Sequence, residues 1–126
     1  MKVTVSISEA ESVVMEVLWR SSPIATEDVM AALEPRGKWQ ESTVKTLLNR
    51  LLKKGAISAR KDGRRYLYSP VLKRKHWVSS ESTGFLNRLF DGRIAPLVAH
   101  FSQQRKLGRS DIADLKRLIQ ELDDDQ

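Results

Sequence analysis

The chain has 126 residues and a mass of 14.4 kDa, which is enough for one domain or for a small domain with an appended segment. It contains no cysteine, so disulfides, thiolate metal sites and thiol redox switches are excluded. No apolar run approaches the ~20 residues that a membrane span requires, and residues 1–7 do not resemble a signal peptide. The expected location is therefore the cytoplasm, without a membrane partner.

The net charge of +6 is distributed unevenly along the chain. Residues 36–75 hold thirteen basic and two acidic residues, a net charge of +11, whereas residues 1–35 carry −4 and residues 76–126 carry −1. A local excess of this size predicts a polyanionic partner for the middle of the chain.

Two helices are predicted in the first part of the chain. Ser8 and Glu11 have the spacing of a capping box, and the following apolar residues repeat at three and four positions to about Arg20. Residues 21–23 end this helix, and residues 24–25 are predicted to form a short strand. A second helix begins at Thr26 and ends before Pro35 and Gly37.

A third helix is predicted from about Trp39 or Gln40 to Gly55, whose position after two lysines suits a left-handed C-terminal cap. Five apolar residues lie on one side of this helix: Val44, Leu47, Leu48, Leu51 and Leu52. Polar and basic residues occupy the other side: Ser42, Lys45, Thr46, Asn49, Arg50 and Lys53.

A hairpin with an Asp62-Gly63 turn is predicted next, and Pro70 ends it. The implied register pairs Ile57 with Tyr68, Ala59 with Tyr66, Arg60 with Arg65, and Lys61 with Arg64. The first two pairs are expected to pack on the helices, with both tyrosines in the core. The last two place like charges opposite each other, which bound phosphate would relieve.

Amphipathic helices are predicted from Val71 onward, and Ser110 is the expected cap of the last one. We interpret the Lys73–Lys75 run as a polar junction and divide the chain into a winged helix-turn-helix DNA-binding domain, residues 1–70, and a helical dimerisation domain, residues 71–126. The fold class is mostly α with a small β-hairpin. The expected dimer interface comprises the apolar residues Trp77, Phe85, Leu86, Leu89, Phe90, Leu97, Val98, Phe101, Leu115, Leu118 and Ile119.

The order of three helices and a basic hairpin indicates DNA binding through a recognition helix, residues 40–54, and a wing, residues 60–65. The predicted contacts come from short hydrogen-bonding side chains and cations: Gln40, Ser42, Thr43, Lys45, Thr46, Asn49, Arg50, Lys53, Arg60, Lys61, Arg64 and Arg65. A solvated helix face and a charged hairpin that prevents edge association are the plainer interpretation of the same residues.

The alternative function is a winged-helix protein interaction module that docks an acidic partner. Only His76 and His100 could supply imidazole, and they lack neighbouring carboxylates at ligand spacing, so neither a metal site nor a cofactor is expected. No nucleophile elbow or phosphate-binding glycine loop is present, so we do not expect an enzyme.

Several segments resemble the penicillinase-repressor family of bacterial regulators, the BlaI, MecI and CopY group. The stretch Thr43–Gly55 is similar to that family's recognition helix, and residues 66–70 are similar to its wing. Ser8–Glu11 followed by Val17–Trp19 resembles the family's first helix. The segment Leu97–Phe101, then Leu107 and residues 112–118, resembles its dimerisation helices, so the similarity covers nearly the whole chain.

The resemblance implies a homodimeric repressor whose winged helices bind an inverted-repeat operator on double-stranded DNA. In the β-lactam-responsive branch, a sensor-linked protease cleaves an Asn-Phe bond in the dimerisation domain. The corresponding position here is His100-Phe101, so release by proteolysis stays open. The cysteine-rich metal motif of the copper-responsive branch has no counterpart in this sequence.

Overall fold

A computed structural model describes residues 5–125, which form a mostly helical structure with one antiparallel hairpin, as predicted. The elements are α1 (Glu9–Arg20), α2 (Thr26–Leu33), a 3-10 turn (Glu34–Arg36), α3 (Glu41–Lys54), β1 (Ile57–Asp62), β2 (Arg65–Pro70), α4 (Arg74–Phe90), α5 (Ile94–Gln103) and α6 (Arg109–Asp124). The chain divides into two compact units, Met1–Ser80 and Glu81–Gln126.

Helices α1 and α2 confirm the sequence prediction closely. The backbone N–H of Ser8 donates to Glu11 Oε1 at 2.7 Å, and the backbone N–H of Glu11 donates to Ser8 Oγ at 3.1 Å, which completes the predicted capping box. The short strand expected at residues 24–25 is a single bridge, in which Ile24 and Tyr68 exchange backbone hydrogen bonds of 3.0 and 2.8 Å.

The core of the first unit forms where α1, α2 and α3 bury their apolar sides against one another. Its largest fully buried apolar side chains are Val14, Met15, Leu18, Val29, Leu33, Val44, Leu48 and Leu51. Burial of each such side chain stabilises the fold by about 1.5–3 kcal/mol. Helix α3 is thereby fixed with its opposite side facing solvent.

Gly55 ends α3, as its position in the sequence predicts. Its φ of 77° lies in the left-handed region, and its N–H donates to the carbonyl of Leu52 at 3.1 Å. The chain therefore turns directly from α3 into the hairpin.

The predicted register of the hairpin is wrong. Gly63 and Arg64 form the turn, so the observed pairs are Ile57–Pro70, Ser58–Ser69, Ala59–Tyr68, Arg60–Leu67, Lys61–Tyr66 and Asp62–Arg65. Gly63 has φ of 64°, which suits the first of two turn positions in a type II′ hairpin.

Charge pairing explains why this register is preferred. The predicted register placed Arg60 opposite Arg65, whereas the observed one places Arg65 opposite Asp62, with Arg65 Nε 3.7 Å from Asp62 Oδ2. Opposite charges stabilise a cross-strand pair and like charges destabilise it. The expected crowding of like charges, and its relief by bound phosphate, is therefore absent.

The start of α4 belongs to the first unit, which ends at Ser80, whereas the sequence analysis divides the chain after residue 70. Trp19 Nε1 donates to the carbonyl of Leu72 at 2.8 Å, and Arg74 Nε donates to Glu16 Oε1 at 3.0 Å. The rings of Trp19 and Trp77 lie 5.4 Å apart, and Trp77 packs against the core of its own chain. These contacts within its own chain account for the burial of Trp77, so Trp77 is not part of the dimer interface that we propose.

The second unit contains the remainder of α4 together with α5 and α6. The N-cap of α6 is Gly108, whose N–H donates to Asp111 Oδ2 at 3.3 Å, so the expected cap at Ser110 is wrong. Ser110 instead lies inside the first helical turn, where a cap cannot act. None of the described residues of α5 or α6 is fully buried.

Candidate nucleic-acid interface

The exposed side of α3 carries every contact residue that the sequence predicts there. Gln40 precedes the helix, and its surface then presents Ser42, Thr43, Lys45, Thr46, Asn49, Arg50 and Lys53, all of them exposed. The arrangement follows from burial of the apolar side, because residues three and four positions apart share one face of a helix. Thr46 Oγ1 donates to the carbonyl of Ser42 at 2.8 Å, which leaves its lone pairs available as acceptors.

The hairpin of β1 and β2 contains the predicted wing, and the four cations predicted there are all exposed: Arg60, Lys61, Arg64 and Arg65. Arg65 is held on two sides. Its Nη1 lies 3.3 Å from Glu27 Oε1 of α2, and its Nε lies 3.7 Å from Asp62 Oδ2. The first contact ties the hairpin to α2, and the second joins its two strands at the turn.

A groove of about 290 Å³ separates α3 from the wing and brings together residues of α2, α3 and β2. Its lining comprises Thr26, Glu27, Glu41, Lys45, Asn49, Arg64, Arg65, Tyr66 and Tyr68. Four of the predicted contact residues thus line one concave surface: Lys45, Asn49, Arg64 and Arg65. A surface with exposed amides and cations can donate to base edges and to phosphate oxygens.

Five groove residues are absent from the contact set that the sequence predicts: Thr26, Glu27, Glu41, Tyr66 and Tyr68. Glu41 had a detectable signal, because it lies four residues before Lys45 on α3, and the two head groups are 3.1 Å apart. Glu27 had no such signal, since it contacts Arg65 only through the tertiary fold.

Tyr66 does not belong to the core, contrary to the sequence prediction. It is 51% exposed and lies opposite Lys61 near the tip of the wing, whereas Tyr68 packs against the core. Both side chains point to one face because strand residues alternate. Only Tyr68 lies close enough to the helices to be covered.

Glu11 is hydrogen-bonded to Lys54, the C-terminal residue of α3. Its carboxylate is 1% exposed, and Lys54 Nζ donates to its Oε1 at 2.5 Å. Burial raises the pKa of Glu11, but hydrogen bonds from Lys54 and from Ser8, together with the charge of Lys54, outweigh burial and hold the pKa below its ordinary value. The carboxylate therefore stays ionised and connects the beginning of α1 to the end of α3.

The second unit presents an apolar groove between α5 and α6, with a volume of about 400 Å³. Its apolar lining comprises Leu97, Val98, Phe101, Leu107, Leu115 and Leu118, five of which the sequence assigned to the dimer interface. Phe85, Leu89 and Ile119 are exposed as well. The remaining predicted interface residues, Leu86 and Phe90, are half-buried on α4.

The His100-Phe101 bond lies inside α5, and both side chains are exposed. The two rings meet edge to face with their centroids 5.2 Å apart, and the His100 ring lies 6.0 Å from that of Phe90. Between residues 5 and 125, no group of three His, Asp or Glu side chains is placed to hold a metal ion. Within the same range, no helix has both the length and the apolar character needed to cross a membrane.

Sequence comparisons identify relatives along almost the entire chain. The family model described as penicillinase repressor matches residues 7–121. A penicillinase repressor of Bacillus licheniformis is 35% identical over 121 residues, which cover 96% of this chain and 94% of that protein. The methicillin resistance regulatory protein MecI of Mammaliicoccus sciuri is 27% identical over 116 residues, covering 92% and 94%.

Two solved structures resemble part of the chain. The solution structure of the DNA-binding domain of the repressor BlaI has a TM-score of 0.53 and 39% identity, covering 60% of this chain and 93% of that one. The monomeric form of Bacillus licheniformis BlaI in complex with the blaP half-operator has a TM-score of 0.51 with the same identity and coverage.

Proposed function

Because the chain belongs to the penicillinase repressor family, we propose that it is a homodimeric, DNA-binding transcriptional repressor of an inverted-repeat operator. In this proposal α3 lies in the major groove and contacts base edges, while the wing contacts phosphates. In the same proposal, the second unit joins two copies of the chain into a dimer. Related repressors act on DNA, as the half-operator complex of the Bacillus licheniformis protein illustrates.

The observation that carries the proposal is the exposed polar side of α3 beside the basic wing. Burial of Val44, Leu48 and Leu51 leaves Lys45 and Asn49 at the mouth of a groove whose other wall bears Arg64 and other wing residues. Phosphate contacts supply position and salt-dependent affinity, whereas sequence preference requires contacts with base edges. The wall formed by α3 suits contacts with base edges, and the wall formed by the wing suits contacts with phosphates.

Exposed apolar residues of the second unit support dimerisation. Leu118 is 48% exposed and Ile119 is 58% exposed on α6, next to the groove that α5 and α6 form. Surfaces this apolar are usually covered by a partner. A two-fold dimer would place its two α3 helices in successive major grooves about 34 Å apart, or a multiple of that distance.

Release of the repressor by a sensor-linked protease at His100-Phe101 stays a prediction. The bond lies within α5, so a protease would gain access only after local unwinding of that helix. Incubation of the dimer with the protease of a related system, followed by mass spectrometry of the fragments, would test it. Fragments ending at His100 support the prediction, and an intact chain contradicts it.

A pair of double variants tests DNA recognition by the helix and the wing. Replacement of Lys45 and Thr46 by Ala should weaken binding to the selected operator by about 10- to 100-fold, with a smaller loss on random duplex, because base contacts are lost. Replacement of Arg64 and Arg65 by Ala should weaken binding to both duplexes alike, because phosphate contacts carry no sequence information. Fluorescence anisotropy at fixed salt would measure all four affinities.

Outcomes of this experiment separate the alternatives. Equal losses on both duplexes for both variants would mean that α3 does not recognise sequence. An absence of binding to any duplex by the unaltered protein, with capture of an acidic protein instead, would favour the interaction-module alternative.

A further inference from the structure

The groove beside α3 contains the carboxylate of Glu41. A surface that binds a polyanion would be expected to carry basic groups instead. Glu41 is the first residue of α3, and its side chain is 62% exposed. Its Oε1 lies 3.1 Å from Lys45 Nζ, one helical turn further along. Exposed ion pairs of this kind contribute little to stability, so the stability of the fold does not explain the pair.

The position of the pair on the recognition helix is informative. In helix-turn-helix proteins, the N-terminal residues of the recognition helix contact base edges in the major groove. Glu41 and Lys45 occupy the first and second turns of α3, and both line the groove with Asn49. In the same orientation, their head groups would face bases.

The chemistry of the pair matches one kind of base pair. In the major groove a C·G pair presents the cytosine amino group as a donor and guanine O6 and N7 as acceptors. The amino group and O6 are hydrogen-bonded to each other, at a separation of about 2.9 Å. An acceptor and a donor 3.1 Å apart, as in Glu41 and Lys45, complement these two atoms.

We propose that Glu41 and Lys45 form a recognition site for one C·G base pair in each half-site, an inference that rests on the proposed function. The Glu41 carboxylate accepts from the cytosine amino group, and the Lys45 ammonium donates to guanine. The same carboxylate repels backbone phosphates, so it lowers affinity for duplexes that do not present the base pair. Glu41 is in this sense a specificity-determining residue.

The other groove carboxylate provides a contrast. Glu27 lies on α2, and its partner Arg65 is a wing cation rather than a residue of the recognition helix. Among the proposed contact residues, Arg50, Lys53, Arg60, Lys61 and Arg64 have no carboxylate within 4.0 Å in the part of the chain that the structure describes. Among the described residues, Glu41 and Lys45 therefore form the ion pair in which both partners belong to α3.

The test begins with selection of a preferred duplex from a randomised library by the unaltered full-length protein. Each C·G pair of the selected half-site is then replaced by T·A, and affinities are measured for the unaltered protein and for Glu41→Ala. The unaltered protein should lose between about 5-fold and 150-fold at one such pair. In Glu41→Ala this loss should shrink, because only the Lys45 contact with guanine is left, while the losses at the other pairs stay unchanged. The affinity of Glu41→Ala for random duplex should rise about fivefold.

Glu34→Ala and Glu9→Ala are the controls, because each removes one exposed carboxylate of the same unit that does not line the groove. Both should retain the C·G preference. Thermal unfolding of each variant would verify that the fold is intact. If Glu41→Ala keeps every base preference of the unaltered protein, the proposed C·G site is refuted while DNA recognition stands. If the unaltered protein enriches no sequence, the proposed function itself is refuted.

Discussion

At the residue scale, Glu11 shows how one buried carboxylate serves two helices. Its hydrogen-bond partner in the capping box is Ser8, and its ion-pair partner is Lys54, the last residue of α3. The capping box is evident from the spacing of Ser8 and Glu11, whereas the contact with Lys54 is not, because 43 residues separate the partners. Loss of Glu11 should therefore loosen α3 as well as α1.

Glu11→Gln should lower the free energy of unfolding by about 2 kcal/mol at neutral pH, since hydrogen bonds to a buried charged group are lost. The pKa of Glu11 is lowered in the folded state from its ordinary value of 4.5. Its contribution is therefore fully present above that value and is lost as the pH falls through the lowered pKa. Urea unfolding between pH 3 and pH 7 would measure the difference.

Glu9→Gln is the matched control, because Glu9 is an exposed carboxylate in the same helical turn as Glu11. It should change stability by a few tenths of a kcal/mol at most. A Glu11→Gln effect that is equally large at pH 3 and pH 7 would contradict the assigned protonation state.

At the element scale, α3 and the wing differ in how strongly their sequences specify them. Five apolar residues at helical spacing determine which side of α3 is buried, and the structure follows that pattern. The wing has a weaker determinant, since Asp62, Gly63 and Arg64 allow two positions for a two-residue turn. Moving the turn by one residue shifts the partners by two, so each side chain keeps its face while the charge pairs change.

Gly63→Ala should destabilise the first unit by about 1 kcal/mol, because an L side chain at φ of 64° is strained. Apart from Gly63 and its two chain neighbours, no atom of the described residues lies within 4 Å of the added Cβ position, so a clash with a more distant residue would not contribute. Gly63→Asn is the control and should lose less, since Asn tolerates positive φ. Thermal unfolding monitored by circular dichroism would compare the three proteins; equal stability of Ala and Asn variants would argue against backbone strain.

At the scale of the whole molecule, the chain consists of two compact units with different surfaces. The first has a buried core and a basic, polar groove, whereas the second has no fully buried side chain among its described residues and an apolar groove instead. A chain of this size can bury only a modest core by itself. A second copy of the chain would cover the apolar residues and would add stability through association.

Leu118→Asp should shift the full-length protein from dimer to monomer at micromolar concentration, because it places a charge in the proposed interface and removes about 2 kcal/mol of burial per subunit. Gln120→Asp adds the same charge two residues later on α6 and should leave the dimer intact. Analytical ultracentrifugation would measure both. Identical sedimentation of Leu118→Asp and the unaltered protein would refute the proposed interface.

Local sequence determined much of the first unit. The capping box of α1, the apolar side of α3 and the end of that helix at Gly55 all follow from the spacing of a few neighbouring residues, and the structure confirms each of them. The exposed polar side of α3, on which the proposed DNA contact depends, follows from the same periodicity.

Tertiary structure decided the features that join residues distant in the sequence. The packing of Trp77 on Trp19, the contact of Glu27 with Arg65 and the exposure of Tyr66 depend on how elements meet in space. The register of the wing, although local, depended on which of two adjacent turn positions was used, and the observed one places Arg65 opposite Asp62. Periodicity specifies which face of an element is apolar, but only the packed structure selects the partner that each face contacts.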